Sequence, residues 1–249
     1  NGLHLALTPT VGIRNGGDPT ADVYRSPGYD KDSFPTMLVD SVEVVSTDSD
    51  TTTYTASMYA DVDQSNTLNV SVDVRVTIKY EYTAPNNYFL ATYTVTPPAS
   101  GFYNIDLYHN IDMKLNDNDN GPGITGTGLN ETFTGRYILQ EGDAIGGFAE
   151  ASDTFSSYVA DDYDFPGQNE SETGWEVGKR GPLYGEPFPN FVNADAATDI
   201  GVSIHFDLGA PTETVAKTAY LIFTDSLAST SEGPTTSAPY TGPVLTAFS

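Results

Sequence analysis

The chain has 249 residues, 38% of them hydrophobic, no cysteine and a formal net charge of -24. That excess of acid is the wrong sign for nucleic acid, which proteins grip through its phosphates with basic surfaces. Without cysteine there is no disulfide framework or thiolate metal site. No apolar run reaches the ~18 residues that would cross a bilayer as a helix.

The sequence opens at Asn1 with neither a methionine nor a charged-then-apolar leader, as expected of a mature secreted chain. Its acidity has two readings. One is a surface kept hydrated in salty surroundings, where screening removes the self-repulsion. The other is a surface that binds cations.

Leu3, Leu5 and Leu7 alternate on one face of a short strand, which then meets Pro9 and the turn cluster Arg14-Asn15-Gly16-Gly17-Asp18-Pro19. Residues 1–13 therefore read either as an ordinary edge strand or as a donor strand inserted into the next subunit by β-augmentation. Residues 18–36 read as loop, Met37 to Val45 as strand, 46–53 as a polar turn and Tyr54 to Val62 as strand. The longest alternation follows. Val70, Val72, Val74, Val76, Ile78, Tyr80 and Tyr82 interleave with polar residues from Asn69 onward, which predicts one long amphipathic strand. The turn Ala84-Pro85-Asn86-Asn87 and the run Tyr88 to Thr96 complete a predicted central hairpin.

Phe102 to Leu115 is a second strand of period two, with His109 among Ile105, Leu107, Ile111 and Met113 on its apolar face. A buried, hydrogen-bonded histidine and a ligand or catalytic histidine are both compatible with that position. The strand ends at Asn116-Asp117-Asn118-Asp119-Asn120-Gly121. Such an Asx run turns the chain by its own side-chain chemistry, and it also crowds hard oxygen ligands as Ca²⁺ requires. It is not an EF-hand loop, because Thr127 stands where the bidentate acid belongs. A plain polar turn and a calcium turn both remain open.

Thr132 to Gln140 reads as a strand. Residues 141–199 read as a loop-rich insertion holding Asp161, Asp162 and Asp164, a second oxygen-rich cluster, with Tyr163, Tyr184 and the sole tryptophan, Trp175. Ile200, Val202, Ile204, Phe206 and Leu208 form a third alternation, with His205 on its polar face. With Val215 to Thr224 it predicts a second central hairpin. Residues 225–243 are a Ser/Thr/Pro-rich tether, and Val244 to Phe248 is a last apolar piece able to pair with an edge.

Motifs that would specify chemistry are missing. No Gly-x-Ser-x-Gly, no His-Glu-x-x-His and no phosphate-cradling glycine loop occurs, so no catalytic residue is assigned. A carbohydrate reading uses Trp175, Tyr184 and Tyr163 as stacking surfaces, with His109, His205, Tyr184 or Arg180 as acid/base groups. Asn69, Asn130 and Asn169 begin glycosylation sequons.

Two stretches carry a resemblance. The run Leu208-Gly209, a Thr/Glu turn and Tyr220-Leu221-Ile222-Phe223 resembles the terminal hairpin of secreted prokaryotic surface β-sandwich proteins. The leucine-striped N-terminus resembles subunits of extracellular filaments assembled by donor-strand exchange. These resemblances imply a structural role outside the cell.

The expectation is thus an all-β protein: one large antiparallel β-sandwich over 1–249, of supersandwich size. Its expected role is a secreted, cell-surface subunit of a filament, pilus-like fibre or surface layer. It would self-associate into a homopolymer by strand addition, with Leu3, Leu5 and Leu7 as donor residues and Ca²⁺ as a stabiliser. The alternative is a secreted carbohydrate-binding or carbohydrate-active protein, lyase or mutarotase-like.

Overall fold

The computed structural model describes residues 5–15, 23–25, 37–46, 50–60, 65, 67–84, 86, 88–99, 103–113, 120–124, 135–141, 144–162, 187–188, 190–197 and 200–224. They are all-β. Fifteen strands follow in chain order: β1 (Leu5–Asn15), β2 (Val23–Arg25), β3 (Met37–Ser46), β4 (Thr51–Ala60), β5 (Val74–Thr83), β6 (Tyr88–Thr96), β7 (Tyr103–Met113), β8 (Gly121–Ile124), β9 (Gly135–Glu141), β10 (Ala144–Glu150), β11 (Ser157–Asp162), β12 (Phe191–Val192), β13 (Ala196–Ala197), β14 (Ile200–Asp207) and β15 (Val215–Thr224). Among the described residues no helix is long and apolar enough to cross a membrane.

The strands form two sheets, one of six in the order β12-β11-β14-β7-β1-β2 and one of nine in the order β13-β8-β9-β10-β15-β6-β5-β4-β3. The core lies between them. Val74, Val76, Ile78 and Tyr80 of β5, Tyr93 and Val95 of β6, and Leu221 of β15 meet Ile105, Leu107 and Ile111 of β7 and Val202, Ile204 and Phe206 of β14. Along β5 and β6 every second residue points inward, as the pleat dictates. The pairing is antiparallel except where β12 joins β11 in parallel. Asn190 leads into β12 with a left-handed φ of 55°, a conformation Asn tolerates better than most side chains.

The hairpin of β5 and β6 forms as the alternation predicts. β5 starts later than expected, however. Residues 69–73 fold into a turn in which the Val72 and Asp73 N–H groups both donate to the Asn69 carbonyl, at 3.0 and 2.8 Å. The Asp73 carboxylate accepts the Asn69 N–H in return, at 2.7 Å. The β-branched alternation of these residues is overruled by Asn and Asp side chains that bond locally to the backbone.

β1 also differs from expectation, running through Pro9 and on over Arg14 and Asn15. It pairs with β7 over eleven residues, from Leu5 opposite Met113 to Asn15 opposite Tyr103. β2 then pairs with β1 only at Val11, Gly12 and Ile13.

β14 and β15 do not form the hairpin that their sequence predicts. β14 pairs with β7 and β11, and β15 with β6 and β10, in opposite sheets. The link over 208–214 is an arch between the layers. It is pinned to β7 where Leu208 N–H donates to the Ile105 carbonyl and Ile105 N–H donates to the Gly209 carbonyl, at 3.0 and 2.8 Å. Gly209 has a φ of 61°, which suits glycine. Alternation marks the inward residues of both strands but does not say whether the two lie side by side or face to face.

Within 141–199, read from sequence as insertion, the structure sets β10 to β13. β10 is central to the larger sheet and buries Phe148. The pair Gly146-Gly147 and the brevity of each strand hid them.

Candidate functional site

β7 is where the chemistry of the fold converges. It receives β1 on one edge and β14 on the other, and both of its faces are buried.

The inward face carries His109, which is 1% exposed. Its ring lies between two hydroxyls: Tyr93 at Nδ1 and Tyr80 at Nε2, the latter 3.4 Å away. Phe148 and Tyr93 also contact the ring, at centroid distances of 4.9 and 5.4 Å. Nothing here welcomes a charge. Burial pushes the His109 pKa down to about 3 and the Tyr93 hydroxyl well above its ordinary value, with the Tyr80 hydroxyl adding to the second shift. His109 is therefore a neutral core histidine, one of the two readings of its position.

The outward face carries Asp106 and Tyr108, both fully buried. The Asp106 carboxylate is 2.8 Å from His205 Nε2, and His205 Nδ1 is 2.8 Å from the Ser157 hydroxyl. The chain Ser157–His205–Asp106 spans the three adjacent strands β11, β14 and β7. Its polarity follows from the donors. The Asp106 carboxylate can only accept, so Nε2 carries the proton of that bond, and Nδ1 is left to the Ser157 hydroxyl. Ser157 Oγ in turn accepts the Phe188 N–H at 2.8 Å. Tyr108 stacks on the imidazole at 4.4 Å and 13°.

Serine, histidine and aspartate in line suggest nucleophilic catalysis, but this array is arranged for cohesion. Ser157 is 1% exposed, His205 2% and Asp106 0%. The Ser157 oxygen accepts the Phe188 N–H, and Tyr108 stacks on one face of the His205 ring. As it stands, the array ties the three central strands together across their outer surface. His205 lies on the face opposite Ile204 and Phe206, as its alternation predicts, but that face is dry. Ser157 and Asp106 carry no motif, and only the register of β14 with β7 and β11 brings them to His205.

A second fixture closes the side of the sandwich where β12 and β13 lie. Asn193 N–H donates to the Ala160 carbonyl at 2.9 Å, and its own carbonyl accepts the Gly123 N–H at 2.6 Å. Its side chain donates to Asp161 Oδ1 at 2.8 Å. The approach is so close that a Cβ on Gly123 would stand 2.5 Å from Val192 Cγ1.

Of the residues singled out from sequence, Leu5 and Leu7 lie on β1, on the face that its register shares with Ile111 and Met113 of β7. Leu3 lies outside the described residues. So do Asn116, Asp117, Asn118, Asp119, Asp164, Tyr163, Trp175, Arg180, Tyr184, Asn130 and Asn169. Asn120 is exposed at the start of β8. Asp161 is buried and bonded to Asn193, and Asp162 follows it as the last residue of β11. Asn69 sits in the turn before β5, where its side-chain oxygen accepts the Ser71 N–H at 3.2 Å. Among the described residues, no three His, Asp or Glu gather closely enough to hold a metal ion.

Fold and site together define an antiparallel β-sandwich with a doubly buried central strand. The chain matches no protein-family model and no curated protein.

Proposed function

We propose that the protein is a secreted structural subunit that assembles by strand addition, β1 of one copy filling the flank of β7 in the next. The observation that carries this reading is the match between the two strands. Leu5, Leu7, Pro9, Val11 and Ile13 stand opposite Met113, Ile111, His109, Leu107 and Ile105. The apolar positions of the strand thus coincide in register with the apolar positions of its acceptor. Among the described residues, β2 pairs with β1 at three positions on its far side, Val11, Gly12 and Ile13. Leu5 and Leu7 act as register-setting anchors, with Leu3 extending the stripe. Calcium at Asn116–Asn120 would offset part of the -24 charge and draw like-charged copies together.

Electron microscopy of the purified chain, with and without millimolar calcium, tests the proposal. Filaments or sheets are expected from the full chain, and soluble units that do not assemble from a chain lacking residues 1–13. Normal assembly by the shortened chain contradicts the donor role.

A further inference from the structure

Strand addition makes no use of the turn over 69–73, which precedes β5 and belongs to neither sheet. The turn is firmly anchored. The Asn69 carbonyl accepts the Asp73 N–H, and the Asp73 carboxylate, on a residue 2% exposed, accepts the Asn69 N–H. The Val70 carbonyl accepts the Ala99 N–H at 3.1 Å. Between those anchors Val70 and Ser71 face solvent. Val70 is 66% exposed, more than any other large hydrophobic residue described. Asn69 is half-buried, and its side-chain oxygen accepts the Ser71 N–H at 3.2 Å. Asn69-Val70-Ser71 is at the same time an Asn-x-Ser acceptor sequence with no proline at its middle position.

We propose that Asn69 is a glycosylation site, its amide nitrogen joined to the first sugar of a glycan delivered as a lipid-linked glycosyl phosphate. In the transfer Nδ2 attacks the anomeric carbon of that sugar. The N–C bond forms, and the bond from the anomeric carbon to the phosphate oxygen breaks. The lipid phosphate leaves with the electron pair, and Nδ2 gives up one proton to a base of the transferase. The fold accommodates the product. The linkage retains the side-chain carbonyl, so the bond from the Ser71 N–H to Asn69 Oδ1 persists. The other anchors of the turn are backbone groups and the Asp73 carboxylate, which the linkage leaves in place. A glycan is bulky and belongs at a surface, and position 69 interrupts no strand ladder. Its first sugar sits one residue from Val70 and gives that exposed apolar side chain a hydrated neighbour. The inference rests on the secreted character proposed above, which brings the chain to such a donor, and is independent of strand addition.

The test is a peptide map of the full chain isolated from its own cells. Trypsin cuts after Lys31 and Arg75, so residues 32–75 form one peptide in which Asn69 begins the sole sequon. That peptide is expected to carry a sugar mass that fragmentation places on Asn69. Ser71→Ala removes the sugar and Ser71→Thr keeps it. Ser71 is exposed, so both variants should unfold at the same temperature as the parent chain, which separates loss of the acceptor from loss of the fold. A bare Asn69, a sugar found only on serine or threonine, or a sugar that stays on Asn69 in Ser71→Ala would each overturn the proposal. Cell fractionation tells the two readings apart. A bare Asn69 in chain recovered outside the cell overturns the site while secretion stands, and a bare Asn69 in chain retained in the cytoplasm overturns both.

Discussion

β5 and β14 carry the same period-two alternation and end in different surroundings. On β5 the outward residues Arg75, Thr77, Lys79 and Glu81 are half-buried, and Lys79 pairs with Glu81 at 2.7 Å. On β14 the outward residues Ser203 and His205 are as buried as the core. The larger sheet is thus an ordinary half-wet sheet in this region. The smaller is enclosed on both faces in its central strands, and on its outer face His205 is satisfied by Asp106 and Ser157, and Ser157 by the Phe188 N–H. Alternation reveals which residues face inward. It says nothing about what lies on the other side.

That contrast has measurable consequences. The largest is in acid. Unfolded His109 takes a proton below its ordinary pKa of 6.5, but the folded site resists one until about 3. Stability is therefore unaffected by this group above pH 6.5, and it falls as pH drops through the window from 6.5 to 3. The fall totals on the order of 5 kcal/mol. Urea unfolding across that range shows it, and His109→Phe removes this component of the pH dependence.

Next is the polar array. Asp106→Ala leaves the His205 Nε2 proton buried without its acceptor and should cost about 1–3 kcal/mol. Glu81→Ala, which breaks a half-exposed pair on the larger sheet, should cost less than about 1 kcal/mol. Equal losses in thermal unfolding would erase the distinction between the two sheets. Gly123→Ala should cost about 1–3 kcal/mol, because its Cβ would press on Val192 and the Asn193 carbonyl, neither a flexible chain end. The smallest effect sharpens the comparison within one face. Ser203 Oγ is buried with no hydrogen-bond partner among the described residues. Ser203→Ala should be neutral or slightly stabilising, whereas Ser157→Ala should cost about 1–2 kcal/mol.

Much of this fold was legible in the sequence. Unbroken alternation located β5, β7 and β14, and the turn Ala84–Asn87 located the hairpin of β5 and β6. Three features were not legible, each for a physical reason. The arch between β14 and β15 has the same local pattern as a hairpin, since inward residues alternate in both. β10 and β11 are short, and Gly146-Gly147 reads as a turn signal although β10 continues through it. The Ser157–His205–Asp106 array joins residues 48 and 99 positions apart in sequence. Register alone creates it, and register is a property of the folded sheets. His109 was the favourable case, because a lone histidine in an apolar stripe has few ways to be satisfied, and two tyrosine hydroxyls supply one.

The central claim is that β1 belongs to the next copy in the assembled protein, and one crosslink addresses it. Thr8 lies opposite Asn110 on an antiparallel pair, a separation within disulfide range in either type of pair. Thr8→Cys with Asn110→Cys, oxidised in assembled material and run without reductant, is predicted to give a ladder of covalently linked subunits. A single monomer band, fully crosslinked within each chain, would contradict the account.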